Sequence, residues 1–129
     1  AFAIVTPSNY TDNGGNTLTL DTPQSGTING TSALNHLVGD SGASDFFGNG
    51  GPDVMYGFGG ADTFHFINDG ERVILPDYNE TQGDSIDLGD FDPLASFTFD
   101  GNTHEFLYNG EAIAYIPYAN SITDITYFL

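Results

Sequence analysis

The stretch from Gly30 to His65 decides the fold, because it divides into four units of nine residues: GTSALNHLV, GDSGASDFF, GNGGPDVMY and GFGGADTFH. Every unit begins with Gly, has Ala or Gly at its fourth position and carries an apolar residue at its eighth position. Self-similarity at a fixed short period is typical of repeat proteins, in which each unit buries its apolar side against its neighbours. The apolar residues at the eighth positions form a column, which the same nine-residue spacing extends by one unit in each direction. The predicted inward residues are therefore Ile28, Leu37, Phe46, Met55, Phe64 and Val73.

Each unit is expected to form a glycine-rich turn followed by a three-residue strand. Glycine tolerates positive φ angles, so carbonyl groups in such turns can converge on one point. The sixth position carries a polar residue in every unit, namely Asn35, Ser44, Asp53 and Asp62. In the second unit, Asp45 follows one place later. Carboxylate and carbonyl oxygens are the ligands that Ca²⁺ prefers. The pattern therefore predicts short strands with cation sites between the turns.

The charge of the chain supports a cation. The 129 residues contain 18 acidic side chains and one basic side chain, Arg72, which gives a formal net charge of −17. Because compaction brings like charges together, a folded domain of this composition needs a counter-ion. The same charge excludes nucleic acid as a partner, and no apolar run is long enough to span a membrane. The absence of Cys excludes disulfides and thiolate metal sites.

These units resemble the nonapeptide of the repeats-in-toxin (RTX) family, GGxGxDx followed by an apolar residue and any residue. Downstream, the pair Asp77-Tyr78 and the segment GDSIDL (83–88) resemble the closing stretch of that family, an Asp-Phe pair followed by GDxIDL. Val73 stands where the family usually has an Asp. The resemblance covers about residues 26–92 and implies an all-β fold, a right-handed parallel β-roll with calcium bound between its turns.

The resemblance also implies that two units form one coil, so that alternate units stack on the same edge of the roll. One edge then aligns Asn35 and Asp53 with the region of Asp69 and Glu71. The other edge aligns Asp45 or Ser44 with Asp62 and Asp77. Glycine carbonyls of the third and fourth units would complete the coordination. The candidate calcium ligands are therefore Asn35, Asp45, Gly48, Gly50, Gly51, Asp53, Gly57, Gly59, Gly60, Asp62, Asp69 and Asp77.

The flanks of the roll read as separate segments, residues 1–25 and residues 93–129. After Asp92, the dipeptides Asp100-Gly101 and Asn109-Gly110 separate apolar-rich runs, which predicts an antiparallel meander that caps the roll. We expect a last strand from Ile122 to Phe128. The N-terminal runs AFAIV and NTLTL predict two short strands around a Gly-Asn turn, with Phe2–Val5 paired either to the meander or to a neighbouring subunit.

One sheet face is expected to carry apolar side chains where it should meet water. In the alternate-unit geometry, outward positions of neighbouring strands are apolar, and either the meander or a second copy of the chain covers them. Together with the N-terminal strand, the predicted interface residues are Phe2, Ile4, Val38, Val54, Tyr56 and Ile74.

No pattern of catalytic residues stands out. The segment from His104 to Tyr108 begins like H-E-x-x-H, but Tyr108 replaces the second His and the segment is predicted to be a strand. No G-x-S-x-G sequence is present. We therefore expect no enzyme activity.

Two functions remain open. The first is an extracellular, secreted or cell-surface, calcium-binding β-roll that folds outside the cell and self-assembles into a filament, surface layer or matrix. The second is the C-terminal folding module of a larger secreted enzyme, toxin or adhesin that leaves the cell through a type I secretion apparatus. The end of the chain, Asp124 followed by ITYFL, resembles the uncleaved signal of type I secreted proteins, although a capping strand would look the same. Because the chain begins with Ala, we expect it to be processed or taken from a longer protein.

Overall fold

The computed structural model describes residues 2–5, 17–20 and 24–129, with side chains from residue 26 onward. Within these ranges the regular secondary structure is almost entirely strand, with two short 3-10 turns at Glu80–Gln82 and Ile122–Asp124. None of the described helices is long and apolar enough to cross a membrane. The strands are β1 (Phe2–Val5), β2 (Thr17–Leu20), β3 (Gln24–Asn29), β4 (His36–Phe47), β5 (Val54–Tyr56), β6 (Thr63–His65), β7 (Val73–Ile74), β8 (Ser85–Asp87), β9 (Phe97–Asp100), β10 (Glu105–Tyr108), β11 (Glu111–Tyr115) and β12 (Tyr127–Phe128).

Parallel pairing between alternate units produces a solenoid of about three turns. In the first sheet, β4 pairs with β5, and Leu37 lies opposite Met55. In the second sheet, β4 pairs with β6, and Phe46 lies opposite Phe64. Both pairs are separated by 18 residues, so two units of nine form one coil. The long strand β4 contributes its first residues to one sheet and its last residues to the other. The predicted all-β parallel roll is confirmed.

The apolar column forms the core of the roll. Five of the six predicted inward residues are buried, namely Ile28, Leu37, Phe46, Met55 and Phe64. The rings of Phe46 and Phe64 stack with their centroids 5.0 Å apart. The sixth prediction is inexact, because Val73 is only partly buried and Leu75 is completely buried. The reason is an insertion: Val54 pairs with Ile74, 20 residues later, so the third coil is two residues longer than the repeat.

The C-terminal segment forms the predicted antiparallel meander of β9, β10 and β11. Its second turn has the expected geometry, with φ of 49° at Asn109 and 86° at Gly110. Its first turn is longer than predicted, since Asp100 is still paired with Glu105. Because β11 pairs in parallel with β7, the meander extends the first sheet at its edge.

Two predictions about the termini need correction. Only Tyr127–Phe128 forms the last strand, because Ile122–Asp124 is a 3-10 turn, and this strand pairs in parallel with β8. Strand β1 pairs in parallel with β2 of the same chain, with Phe2 opposite Thr17, and not with the meander. The coil of the roll therefore extends into the N-terminal segment. The pairing of β1 with a neighbouring subunit stays a prediction. The predicted Gly-Asn turn lies outside the described residues.

The tail is held against the end of the roll by Tyr78. Its buried hydroxyl donates to the carbonyl oxygen of Asp84 at 3.0 Å and accepts the backbone N–H of Thr126 at 3.0 Å. Burial raises the pKa of Tyr78 to about 12, so the phenol stays protonated and keeps both bonds. The closing pair Asp77-Tyr78 thereby fixes strand β12 on the second sheet.

Candidate metal centre

Two rows of polar side chains follow the turns of the roll, each residue standing two positions before an inward apolar residue. The first row contains Asn35 and Asp53, and the second row contains Ser44, Asp62 and Asp84. All five side chains are at most 3% exposed. Buried polar side chains outside hydrogen-bonded pairs are uncommon, so each row must have a structural or binding role.

In both rows, a carboxylate oxygen of one coil accepts a backbone N–H of the preceding coil. The Oδ1 atom of Asp53 accepts the N–H of Asn35 at 2.8 Å. In the second row, Asp62 Oδ1 accepts the N–H of Ser44 at 2.9 Å. Asp84 Oδ1 then accepts the N–H of Asp62 at 2.9 Å. The carboxylates thus join the turns of successive coils.

Glycines make room for the second oxygen of these carboxylates. A Cβ atom at Gly48 would overlap Asp53 Oδ2, and one at Gly57 would overlap Asp62 Oδ2. Further along each turn, Gly51 has φ of 86°, and its Cβ would lie 2.7 Å from the carbonyl oxygen of Ala33 in the preceding coil. The repeated glycines are therefore required both by the carboxylates and by the close stacking of turn backbones.

The buried carboxyl groups favour their neutral form. Burial, together with the charge of Asp69, raises the pKa of Asp53 to about 8. Burial, together with the charges of Asp84 and other acidic neighbours, raises the pKa of Asp62 to about 7. Burial also raises the pKa of Asp84. In addition, Asp62 Oδ2 is buried with no hydrogen-bond partner among the described residues. Both rows therefore contain carboxylates that lack a positive partner.

Asp69, another predicted ligand, approaches the turn of the third unit. Asp69 Oδ2 accepts the N–H of Gly51 at 2.8 Å. A cavity of about 10 Å³, the size of one water molecule, lies beside it. The residues that line this cavity and carry the oxygen atoms of interest are Gly48, Gly50, Gly51, Asp53, Asp69 and Glu71. The structure therefore brings most of the first predicted edge together around one small space.

The other edge is arranged around the turn of the fourth unit. Asp77 accepts the N–H of Gly57 at 3.0 Å with Oδ1 and the N–H of Phe58 at 2.8 Å with Oδ2. Gly59 and Gly60 complete this turn, and a Cβ at Gly60 would lie 2.7 Å from the carbonyl oxygen of Gly42 in the preceding coil. Besides burial, the charges of Asp84, Asp77 and Asp40 raise the pKa of Asp62.

Asp45 is not part of either row. It is exposed on the second sheet, and its Oδ1 lies 3.0 Å from His65 Nε2. The other ring nitrogen, Nδ1, lies 2.7 Å from Asp87 Oδ2. Of the two alternatives for the second unit, the structure places Ser44 in the turn and Asp45 on the outer face, because successive strand residues point to opposite sides.

The sequence analysis missed Asp84 as a candidate ligand. The signal was present, because Asp84 precedes buried Ile86 by two residues, as Asp62 precedes Phe64. A four-residue insertion hid it, since Phe64 and Ile86 pair across coils but are 22 residues apart.

The side chains alone do not form a complete metal site. Among the described residues, no group of three or more His, Cys, Asp or Glu side chains is arranged to hold a metal ion. Calcium takes six to eight oxygens, and backbone carbonyls can supply many of them. The donor set fits calcium because it combines oxygens of carboxylates with stacked turn carbonyls, and because Asp62 Oδ2 is buried without a partner in the described part of the chain.

Comparison with protein-family models, with curated proteins and with solved structures found no match to this chain. The parallel β-solenoid therefore rests on the structure itself. The resemblance to the RTX family remains a prediction from the nonapeptide units and the closing segment.

Proposed function

We propose that this chain is a non-catalytic, calcium-binding β-roll protein that folds outside the cell when calcium fills its turns. The observation that carries the proposal is Asp62, a buried carboxyl group with acidic neighbours and with one oxygen that has no hydrogen-bond partner among the residues described by the structure. Asp53 and Asp69 would hold an ion on the first edge, and Asp62, Asp77 and Asp84 on the second. When bound, calcium would neutralise these carboxylates and would also be coordinated by carbonyl oxygens of the glycine turns.

The electrostatics support an external cation because the chain offers almost no internal one. The single basic side chain, Arg72, is half exposed and bonds Glu105 on the meander at 2.9 Å, so it serves a different part of the sheet. Extracellular calcium modules bind in the range of about 10⁻⁴ to 10⁻³ M. Sites of that affinity would stay empty in the cytosol and fill after export, which supports an extracellular location.

The outer face of the first sheet supports self-assembly. Val38 lies opposite Tyr56, and Val54 lies opposite Ile74, so four apolar side chains form one patch. All four remain partly exposed, and the meander continues the sheet at its edge, where β11 pairs with β7. We propose that a second copy of the chain covers this patch. Of the other predicted interface residues, Phe2 and Ile4 lie in β1, and their side chains fall outside the described residues.

A calcium titration tests the proposal. We expect circular dichroism and thermal melting in excess chelator to show a loosened or unfolded chain, and addition of calcium to restore strand signal and raise the melting temperature. Magnesium at the same concentration should have a much smaller effect, because it prefers a rigid octahedral shell and keeps its water. An identical spectrum and melting temperature in chelator and in calcium would contradict the proposal.

Light scattering with and without calcium tests the assembly. Large particles that form only with calcium are expected. A calcium-loaded monomer at high concentration would instead favour the alternative, a folding and secretion module of a larger protein.

A further inference from the structure

A wide cleft lies between the closing segment of the roll and the C-terminal tail, and Asp77 of the second edge stands in its wall. Its volume is about 620 Å³, within the range of roughly 300–1,000 Å³ that is usual for small-molecule sites. One wall is formed by Phe58 and residues 77–82, and the other by residues 118–120 and Asp124. Apart from Asp77, none of the residues proposed to hold calcium lines this cleft.

Two aromatic rings stand at the cleft with much of their surface in solvent. The side chain of Phe58 is 52% exposed, and that of Tyr118 is 74% exposed. The faces of aromatic rings carry a negative quadrupole, which attracts positively polarised C–H groups. Such ring faces suit a ligand with flat, C–H-bearing faces.

The position of Phe58 is costly for an aromatic residue. Its φ is 58°, in the left-handed region, where Gly and Asn are the usual residues. The equivalent residue of the third unit is Asn49, with φ of 64°. Asp77 holds this conformation by accepting the N–H groups of Gly57 and Phe58. The turn therefore presents an exposed ring at a place where a smaller residue would cost less.

The polar groups of the cleft match hydroxyl groups better than charges. Gln82 and Asn120 stand at exposed positions of the cleft, and the side-chain amide of each offers a donor and an acceptor. The carboxylates are already engaged in part: both oxygens of Asp77 accept backbone N–H groups, and Asp124 Oδ2 accepts the N–H of Asn120 at 2.9 Å. No basic side chain lines the cleft, so anionic ligands are repelled.

From this combination of ring faces, side-chain amides and acidic charge, we propose that the cleft binds an uncharged oligosaccharide. Phe58 and Tyr118 would stack on sugar faces, while Gln82 and Asn120 would exchange hydrogen bonds with hydroxyl groups. Because the cleft is open and shallow at Tyr118, the affinity should be weak, with a dissociation constant on the order of 1 mM.

The test is a titration of the ¹⁵N-labelled full chain in saturating calcium, at a protein concentration below that at which light scattering detects particles, followed by amide chemical shifts. The neutral probes are maltotetraose, cellotetraose and tetra-N-acetylchitotetraose, with tetragalacturonate as an anionic probe and spermine as a cationic probe. We expect at least one neutral probe to produce saturable shifts at Phe58, at residues 77–82 and at residues 118–124. Tetragalacturonate should produce none.

Variants make the assignment specific. Tyr118→Ala should weaken binding roughly two- to tenfold, the range of one aromatic stacking contact. Leu94→Ala is the matched control, because Leu94 is 93% exposed and lies outside the cleft. The proposal is overturned if no neutral probe shifts these amides, if Tyr118→Ala binds as well as the wild type, or if spermine alone binds.

Discussion

Asp84 accepts, through Oδ1, the backbone N–H of Asp62 at 2.9 Å, so two buried acidic residues of successive coils are joined in one row. The same carboxylate accepts the N–H of Asn79 through Oδ2 at 2.9 Å. Asp62 has no comparable compensation, since its Oδ2 has no partner in the described part of the chain. The row is therefore held together by hydrogen bonds but is electrostatically unfavourable when ionised.

This arrangement predicts an unusual pH dependence for the metal-free protein. Asp53 and Asp62 have pKa values raised from 3.8 to about 8 and about 7, so the folded state keeps protons that the unfolded state releases. Stability should therefore fall as pH rises through the interval from about 4 to about 8. Chemical denaturation in chelator at a series of pH values measures this. A stability that rises over the same interval would contradict the raised pKa values.

Calcium should reverse that trend, because it binds the ionised carboxylates. The increase in melting temperature caused by calcium is expected to grow between pH 5 and pH 8, as Asp53 and Asp62 lose their protons. Melting curves at each pH, with calcium and with chelator, give the difference directly. A calcium effect that is independent of pH would place the ion away from these two residues.

The variant Asp62→Asn tests whether the buried carboxylate of Asp62 itself, and not the net negative charge of the chain, controls the response to calcium and pH. The amide oxygen can still accept the N–H of Ser44, but the buried group no longer ionises. We expect the variant to lose the part of the calcium-induced stabilisation that comes from the second edge, to keep the part that comes from Asp53, and to show a flatter pH dependence without calcium.

Asp92→Asn serves as the control for that variant, since it removes the same formal charge at an exposed position. It should keep both the calcium response and the pH dependence of the wild type. Equal behaviour of the two variants would mean that net charge, and not the row, governs the response.

Glycine substitutions test the stacking of the turns. Gly60→Ala places a Cβ 2.6 Å from the backbone carbon of Gly42, at φ of 83°. Gly70→Ala introduces the same left-handed strain at φ of 78°, but its Cβ meets nothing within 4 Å. Strain alone costs about 1–2 kcal/mol, and the clash should add about 1–3 kcal/mol at Gly60. Chemical denaturation of both variants in calcium measures the difference between their free energies of unfolding. This difference should vanish if the turns do not stack.

Core truncation tests the apolar column. Phe64 is completely buried and stacks on Phe46, so Phe64→Ala should destabilise the protein by about 3–5 kcal/mol. Leu94→Ala, at a 93% exposed residue, should change stability by less than about 0.5 kcal/mol. Denaturant midpoints of the two variants, measured in calcium, provide the comparison. Similar midpoints would be inconsistent with a core that depends on this column.

The sequence was a good guide wherever each coil of the roll contains two units of nine residues without an insertion. The nine-residue spacing predicted the inward residues from Ile28 to Phe64. The resemblance to the RTX family implied the parallel pairing of alternate units, which the structure has. The nine-residue spacing failed where residues are inserted into a coil, which moved the buried position from Val73 to Leu75 and concealed Asp84.

The sequence alone determined the repeating unit, a glycine turn followed by a short strand with one inward apolar residue. The reason is that each unit depends only on the conformations of about nine consecutive residues. The tertiary structure decided which carboxylates are buried together, since hydrogen bonds from one coil to the next are made by residues 18 to 22 positions apart. It also decided the partners of β1 and β12, because short strands pair with whichever edge the finished roll leaves open.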